Sequence, residues 1–353
     1  MSTSIASLST GNFGLIQQMA ADSSITSQKL AQLTIQSQTG YVATTYAGLE
    51  TAQPGSAGQT LILNSSIATL NNTISNLKIA QGQMGVQQNA IQTISDIASK
   101  ALTQFEGVNS LSGSALSTAA ATARSAVTQI ASLLNSQDGT RYIFSGQDST
   151  VPPVPNATSF TSAAFYVSIQ SATNSLSVSG VFAAASNTTN SPFSSTLASN
   201  PGVPSVLGAG GVPITTGIAA NANQFIGPSV GTNTTGSYMT DILATLSAIG
   251  SLQPGQLSNS GFTNFANAIS TSLGNAINTM AQDAGALGNN QALVNTQITD
   301  LQQTSNAFTN QVAGFDQVDM TKTLSQLSAT QTQLQASYQL IAAVKTMSLT
   351  QYI

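Results

Sequence analysis

Leu63, Leu70, Leu77, Met84, Ile91, Ala98 and Phe105 fall seven residues apart. Ile67 and Ile74 hold a companion position until Gln81 and Gln88 interrupt it. A second series, Leu287, Val294, Leu301, Phe308 and Phe315, repeats the spacing toward the other end. After a break in register it resumes at Leu327, Leu334 and Ile341, with Leu324 and Tyr338 beside the stripe. The first residues carry a weaker version: Ile5, Leu8, Leu15, Met19 and Leu33, with Asn12, Asp22 and Thr26 at intervening positions. A seven-residue apolar repeat keeps one narrow stripe turned to a partner helix and imposes a left-handed supercoil. An ordinary helical bundle shows the same stripe. Residues 59–106, however, would span about 70 Å at ~1.5 Å per residue, which suits a rod better than a globule.

Proline and charge divide the chain. From Ser149 to Thr240 there is no Asp, Glu, Lys or Arg, and eight of the 10 prolines lie between Pro152 and Pro228. Proline removes a backbone donor and breaks helix interiors, so two helical arms flank a proline-rich, uncharged insert. A further helix is expected from Ser114 to Asn135, with Asp138-Gly139 as the turn after it. Arg141-Tyr142-Ile143-Phe144 has the composition of a short strand. Phe165–Ile169 and Leu176–Ser179 are expected as further strands. Asn187–Gly236, dominated by Ser, Thr, Asn, Gly, Ala and Pro, is expected to be irregular β structure or partly disordered.

The predicted fold class is mainly α: a long antiparallel coiled-coil rod from paired N- and C-terminal arms with a small β-rich central insert. The expected divisions are 1–45 with 316–353 as a terminal coiled-coil domain, 46–150 with 238–315 as a helical rod, and 151–237 as the insert.

Composition excludes much chemistry. The 353 residues hold no Cys and no His, so Ser-His-Asp triads, Cys nucleophiles and His- or Cys-ligated metals are impossible. Seven basic residues and a net charge of −4 rule against nucleic-acid binding. The first residues lack the basic start and apolar run of a signal peptide, and no eighteen apolar residues run together. Charged residues are 5% of the chain, so ion pairs cannot define how the arms pair. Their polar surface is Gln, Ser, Thr and Asn, which can be buried against other copies without the desolvation cost of an ion. So few charges also leave a free monomer weakly protected against association.

The remaining motifs are weak. Gly208-Ala209-Gly210-Gly211 is glycine-rich, but Pro213 follows and no helix signal does, so a flexible loop is the plainer reading. Asp316 and Asp319, three apart, can do acid–base or cation work, although a solvated face or a helix start explains them as well. Asn156-Ala157-Thr158 and Asn187-Thr188-Thr189 match the N-glycosylation pattern. Arg141, beside Tyr142 and Phe144, is a candidate anchor for the boundary between rod and insert, pairing with a carboxylate such as Asp138 or Asp148.

Several segments resemble the bacterial flagellins and their relatives, the hook-filament junction (hook-associated) proteins. Asp138-Gly139-Thr140-Arg141-Tyr142-Ile143-Phe144-Ser145-Gly146 is similar to the junction protein's segment where the second rod helix gives way to the variable domain. Asp319-Met320-Thr321 through Leu334-Gln335-Ala336-Ser337-Tyr338, and the ending Ser348–Ile353, resemble the terminal helix of the family. The chain departs from the pattern at Ser37–Gly48, where a basic residue and a pair of acids are missing. The resemblance implies a structural, non-enzymatic axial subunit with no cofactor, exported through the type III apparatus with a chaperone. It would assemble with copies of itself and with adjacent axial proteins on the extracellular flagellum, and junction protein and filament flagellin both remain open.

On this reading Ile5, Leu8, Leu15, Met19, Leu324, Leu327, Leu334, Tyr338 and Ile341 form the terminal coiled coil and its contacts with neighbouring subunits. Leu63, Leu70, Leu77, Met84 and Ile91 face Leu287, Val294, Leu301 and Phe308, with Phe315 beyond. Tyr352-Ile353 is expected to be buried in the assembly. A secreted helical adhesin or translocator is the competing class. An enzyme using a carboxylate pair is the third.

Overall fold

The computed structural model describes residues 3–107, 112–199 and 202–346, with the side chains of 3–13, 15–16 and 344–346 outside the description. The chain is mainly helical. In order it forms α1 (Thr3–Thr39), α2 (Tyr46–Ala52), α3 (Ser56–Glu106), α4 (Gly113–Leu134), β1 (Gln137–Asp138), β2 (Arg141–Tyr142), α5 (Ala164–Asn174), α6 (Val178–Ala185) and α7 (Ser195–Ser199). Then follow β3 (Ser205–Leu207), β4 (Pro213–Thr215), α8 (Tyr238–Ser251), α9 (Phe262–Asp316) and α10 (Met320–Thr346). Two compact units result: Met1–Leu70 with Gln303–Ile353, and Asn71–Gln302. The division falls inside α3 and α9, whereas the helices are interrupted at residues 40–45 and 317–319.

In the first unit α1 and α10 pack along one another. The Val42 N–H donates to the Asp316 carbonyl at 2.7 Å and the Val318 N–H to the Gly40 carbonyl at 3.0 Å. The end of α1 thereby meets the start of α10, so the two helices run antiparallel. Helix starts are capped locally. The Glu50 carboxylate accepts the Gly55 and Ala57 N–H groups before and within the first turn of α3. The Asp319 carboxylate accepts the Lys322 N–H at the start of α10, which satisfies a donor that has no partner inside the helix.

In the second unit α8 is buried on every side. Ile242, Leu243, Leu246 and Ile249 fill its core, and α4, α5 and α6 pack around it. α4 shows why: Leu116, Ala119, Ala120, Ala123, Val127, Ile130 and Leu134 recur at helical spacing on one face. The hydroxyls of Thr245, Ser247 and Ser251 on α8 are tolerated because each donates to a carbonyl of its own helix. Arg124 donates to the Gly250 carbonyl in the last turn of α8, where a cation also suits the helix dipole.

The α3 and α9 helices also meet in this unit. Leu102 lies beside Gly274, Gln88 beside Gly288 and Gly85 beside Gln291, so they run antiparallel. Leu77, Ala80, Met84, Gln87, Ile91, Ile94, Ala98, Ala101 and Phe105 are buried at alternating spacings of three and four. The companion position therefore shifts from the Ile67/Ile74 series to Ala80, Gln87, Ile94 and Ala101. Gln81 and Gln88, which break the series in sequence, lie beside the stripe.

The insert corrects two expectations. Phe165–Ile169 lies inside α5, whose Phe165, Tyr166, Ile169 and Thr173 form one buried helical face. Leu176–Ser179 holds a turn, with Leu176 at φ 51°, and the first two residues of α6, where the Ser177 side chain caps the Gly180 N–H. Only β1–β2 and β3–β4 are strand pairs among the described residues, each a two-stranded antiparallel hairpin. The central region is therefore not β-rich.

Candidate assembly interface

The α1–α10 pair shows how a nearly uncharged seam is built. On α10 the least exposed side chains are Thr323, Leu327, Thr330, Leu334, Ser337 and Ile341, spaced four and three apart. On α1 they are Met19, Ser23, Thr26, Leu30, Leu33 and Ser37, on the same alternation. On α10 aliphatic positions thus alternate with hydroxyl positions, whereas on α1 they come in pairs, Ser23 with Thr26 and Leu30 with Leu33. The hydroxyls of Thr26, Thr330 and Ser337 donate to carbonyls four residues back. They are satisfied within their own helices and ask nothing of the partner, so along the seam the apolar layers hold the pair together. The side chains of Ile5, Leu8 and Leu15, and the segment Ser348–Ile353, lie outside the described residues.

Leu324 and Tyr338 stand outside this seam. They are 51% and 55% exposed on the flank of α10, because the seam runs through Thr323 and Ser337 beside them. They have company. Ile25 and Ile35 of α1, Leu61 and Ile62 of α3 and Leu340 of α10 are all at least half exposed in the same unit. Leu63, Leu70, Phe308 and Phe315 are half-buried there. The unit keeps a thin polar-and-leucine seam inside and much of its large apolar surface outside, the reverse of an ordinary monomer.

The stripe of the second unit is different. Leu77, Met84, Ile91, Leu287, Val294 and Leu301 are buried. Two polar residues sit within it. The Gln87 side chain of α3 donates to the Ile143 and Ile218 carbonyls and accepts the Ile218 N–H. The Asp283 carboxylate of α9 accepts the Gln224 N–H at 3.0 Å, the Phe225 N–H at 2.6 Å and the Tyr238 hydroxyl at 2.9 Å. Both residues grip non-helical segments of the insert. Sequence reasoning missed them, although a carboxylate spaced seven from the buried Ala276 was a visible signal.

Titratable groups follow from these contacts. Burial first, then the charge and hydrogen bond of Asp283, push the Tyr238 hydroxyl well above the ordinary tyrosine range. Burial raises Asp241, against hydrogen bonds from Thr234 and Thr235 that pull it down. Asp316 accepts a hydrogen bond from Thr60, and Asp319 caps α10, so neither is arranged for acid–base work. Arg141 is exposed and donates to the Ser149 hydroxyl rather than to a carboxylate. Phe144 is fully buried and its carbonyl accepts the Ala220 N–H, while Tyr142 is half-buried and its N–H donates to the Ser149 carbonyl. Among the described residues no three acidic side chains converge on a metal site, and no helix is long and apolar enough to cross a membrane.

Residues 271–353 match the family of bacterial flagellin C-terminal helical regions. The match is confined to the C-terminal arm. The matched arm comprises most of α9 and all of α10, and so includes one whole side of the leucine-and-hydroxyl seam. The fold is similar to the solved structure of a protein assigned as a flagellar hook-associated protein of Vibrio parahaemolyticus. The TM-score is 0.54 at 12% identity, over 75% of this chain and 99% of the other. No curated protein matches the chain by sequence at a significant level.

Proposed function

We propose that this chain is a structural axial subunit of the bacterial flagellum, most closely a hook-filament junction protein, that polymerises through its terminal helices. The single observation that carries the reading is the outward-facing apolar surface of the α1–α10 unit, on a flagellin-type arm. Residues 1–45 and 316–353 act as the polymerising coiled coil. Leu324, Tyr338 and Leu340 meet neighbouring copies, while Leu327, Leu334 and Ile341 hold the pair. The mechanism is mechanical: burial of these flanks against further copies supplies at about 25 cal/mol per Å² the stabilisation that the thin internal seam does not. The subunit is secreted through the flagellar export apparatus with a chaperone, joins adjacent axial proteins outside the cell, and performs no catalysis.

The junction role rests on the segment Asp138–Gly146, in which the β1–β2 turn and buried Phe144 join α4 to the insert. A filament flagellin is the second reading, favoured by the family match of the C-terminal arm. The test replaces the gene with a Leu334→Asp variant. The account expects loss of swimming and of incorporation into flagella while Asn71–Gln302 stays folded. Normal motility would count against it.

A further inference from the structure

Between β4 and α8 the chain runs as an irregular strap, residues 221–237, across one face of α9. The strap is pinned at both ends. Asp283 holds the Gln224 and Phe225 N–H groups. Asp241 accepts the Thr234 hydroxyl at 2.5 Å, and the Thr235 N–H and hydroxyl at 2.7 Å each. Asn223 ties the strap to itself through the Gly227 carbonyl and the Ser229 hydroxyl, and to the start of α8 through the Tyr238 N–H. Between residues 226 and 234 it arches away from α9 and leaves an open cleft of about 470 Å³.

The chemistry of the cleft is one-sided. From α9 it receives Ser272, Asn275, Asn278 and Gln282, whose side chains make no hydrogen bond among the described residues. Ser272 is 8% exposed, and its hydroxyl opens on the cleft. Amide side chains offer both donors and an acceptor. Pro228 and Val230 supply an apolar edge on the strap side. Among the described residues the sole charged group lining the cleft is Asp241, and its oxygens are already engaged by Thr234 and Thr235.

We propose that this cleft binds a neutral sugar residue. A pyranose presents a ring of hydroxyls, each a donor and an acceptor, to match free amides and a serine, and an apolar C–H face to lie against Pro228 and Val230. The volume is in the range of small-ligand clefts. The pinned strap leaves little ordering to be done on binding. A carboxylate at the floor, with no cation beside it, disfavours acidic sugars. The same chemistry serves a free monosaccharide and the terminal unit of a glycan chain.

The test is saturation-transfer NMR and calorimetry on the full-length monomer. The probes are glucose, galactose, N-acetylglucosamine, their methyl glycosides as mimics of a chain end, and glucuronate. The proposal expects saturable binding of at least one neutral sugar or glycoside at about millimolar affinity or better. Free sugar and glycoside run side by side distinguish the two sources. Ser272→Ala, Gln282→Ala and Asn278→Ala should each weaken binding about tenfold, or roughly 1.4 kcal/mol. Gln282 and Asn278 are exposed and make no contact that the fold needs, so their variants keep the wild-type circular dichroism and melting. Absence of saturable binding by any neutral probe overturns the proposal. So does tighter binding of glucuronate than of the neutral sugars, or wild-type affinity in all three variants.

Discussion

Gln87 and Ile218, 131 residues apart, exchange two hydrogen bonds: the Ile218 N–H to the Gln87 Oε1 and the Gln87 Nε2 to the Ile218 carbonyl, each at 3.0 Å. The amide side chain completes for the insert what a neighbouring strand would otherwise supply. Gln87→Leu fills the stripe with an apolar group but leaves the Ile218 N–H buried and unpaired. Denaturant unfolding followed by circular dichroism should show a loss of about 1–3 kcal/mol, with the slope against denaturant unchanged.

Tyr238 makes the alkaline side of the stability curve predictable. Its folded pKa lies above the unfolded value, so the stability it contributes is complete below the unfolded pKa of about 10. That stability is lost as pH rises through the folded pKa. Tyr166, raised by burial against the opposing pull of Arg124, has the same sign. The melting temperature should therefore fall above about pH 10. Tyr238→Phe should cost about 1 kcal/mol at neutral pH and flatten that fall. An unchanged alkaline profile in the variant would contradict this.

Gly250 sits where no side chain fits. A Cβ there would lie 2.9 Å from the Tyr166 hydroxyl and 3.0 Å from the Arg124 Cγ. Gly250→Ala must displace the Tyr166 hydroxyl and crowd Arg124, so it should lower stability by about 1–3 kcal/mol, despite the better helix propensity of alanine. Equilibrium unfolding checks the sign, which propensity alone would reverse.

Leu324 and Tyr338 separate assembly from folding. Both are half exposed, so Leu324→Gln and Tyr338→Ser should change monomer stability by no more than about 0.5 kcal/mol. Polymerisation followed by light scattering should drop sharply in each. Equal destabilisation and equal assembly would mean that these side chains belong to the monomer's interior.

The helices were legible in sequence because their apolar residues recur at fixed spacing over many turns, as in Leu77, Met84 and Ile91. The α5 segment was not. Phe165-Tyr166-Val167-Ser168-Ile169 is aromatic and β-branched, and so short an apolar run fits either period. Its packing on the buried α8 decides for helix, and that contact is remote in sequence. Leu324 and Tyr338, beside the stripe in sequence, lie on the flank of α10, and Thr323 and Ser337 complete its seam. Leu324 and Tyr338 look more like core than Thr323 and Ser337, yet a small hydroxyl bonded within its own helix fits the close approach of α1 better than a large side chain does. Gln87 and Asp283 were hidden for another reason: their partners are backbone groups of loops, which carry no residue signature.

The most direct measurement is immunogold electron microscopy of intact flagella, with an antibody raised against the insert, residues 151–237. The account predicts label on the flagellum, confined to the zone where hook meets filament; label along the whole filament would make the chain a filament flagellin. Flagella without any label, on cells that express the protein, would contradict the claim that this chain is an axial subunit.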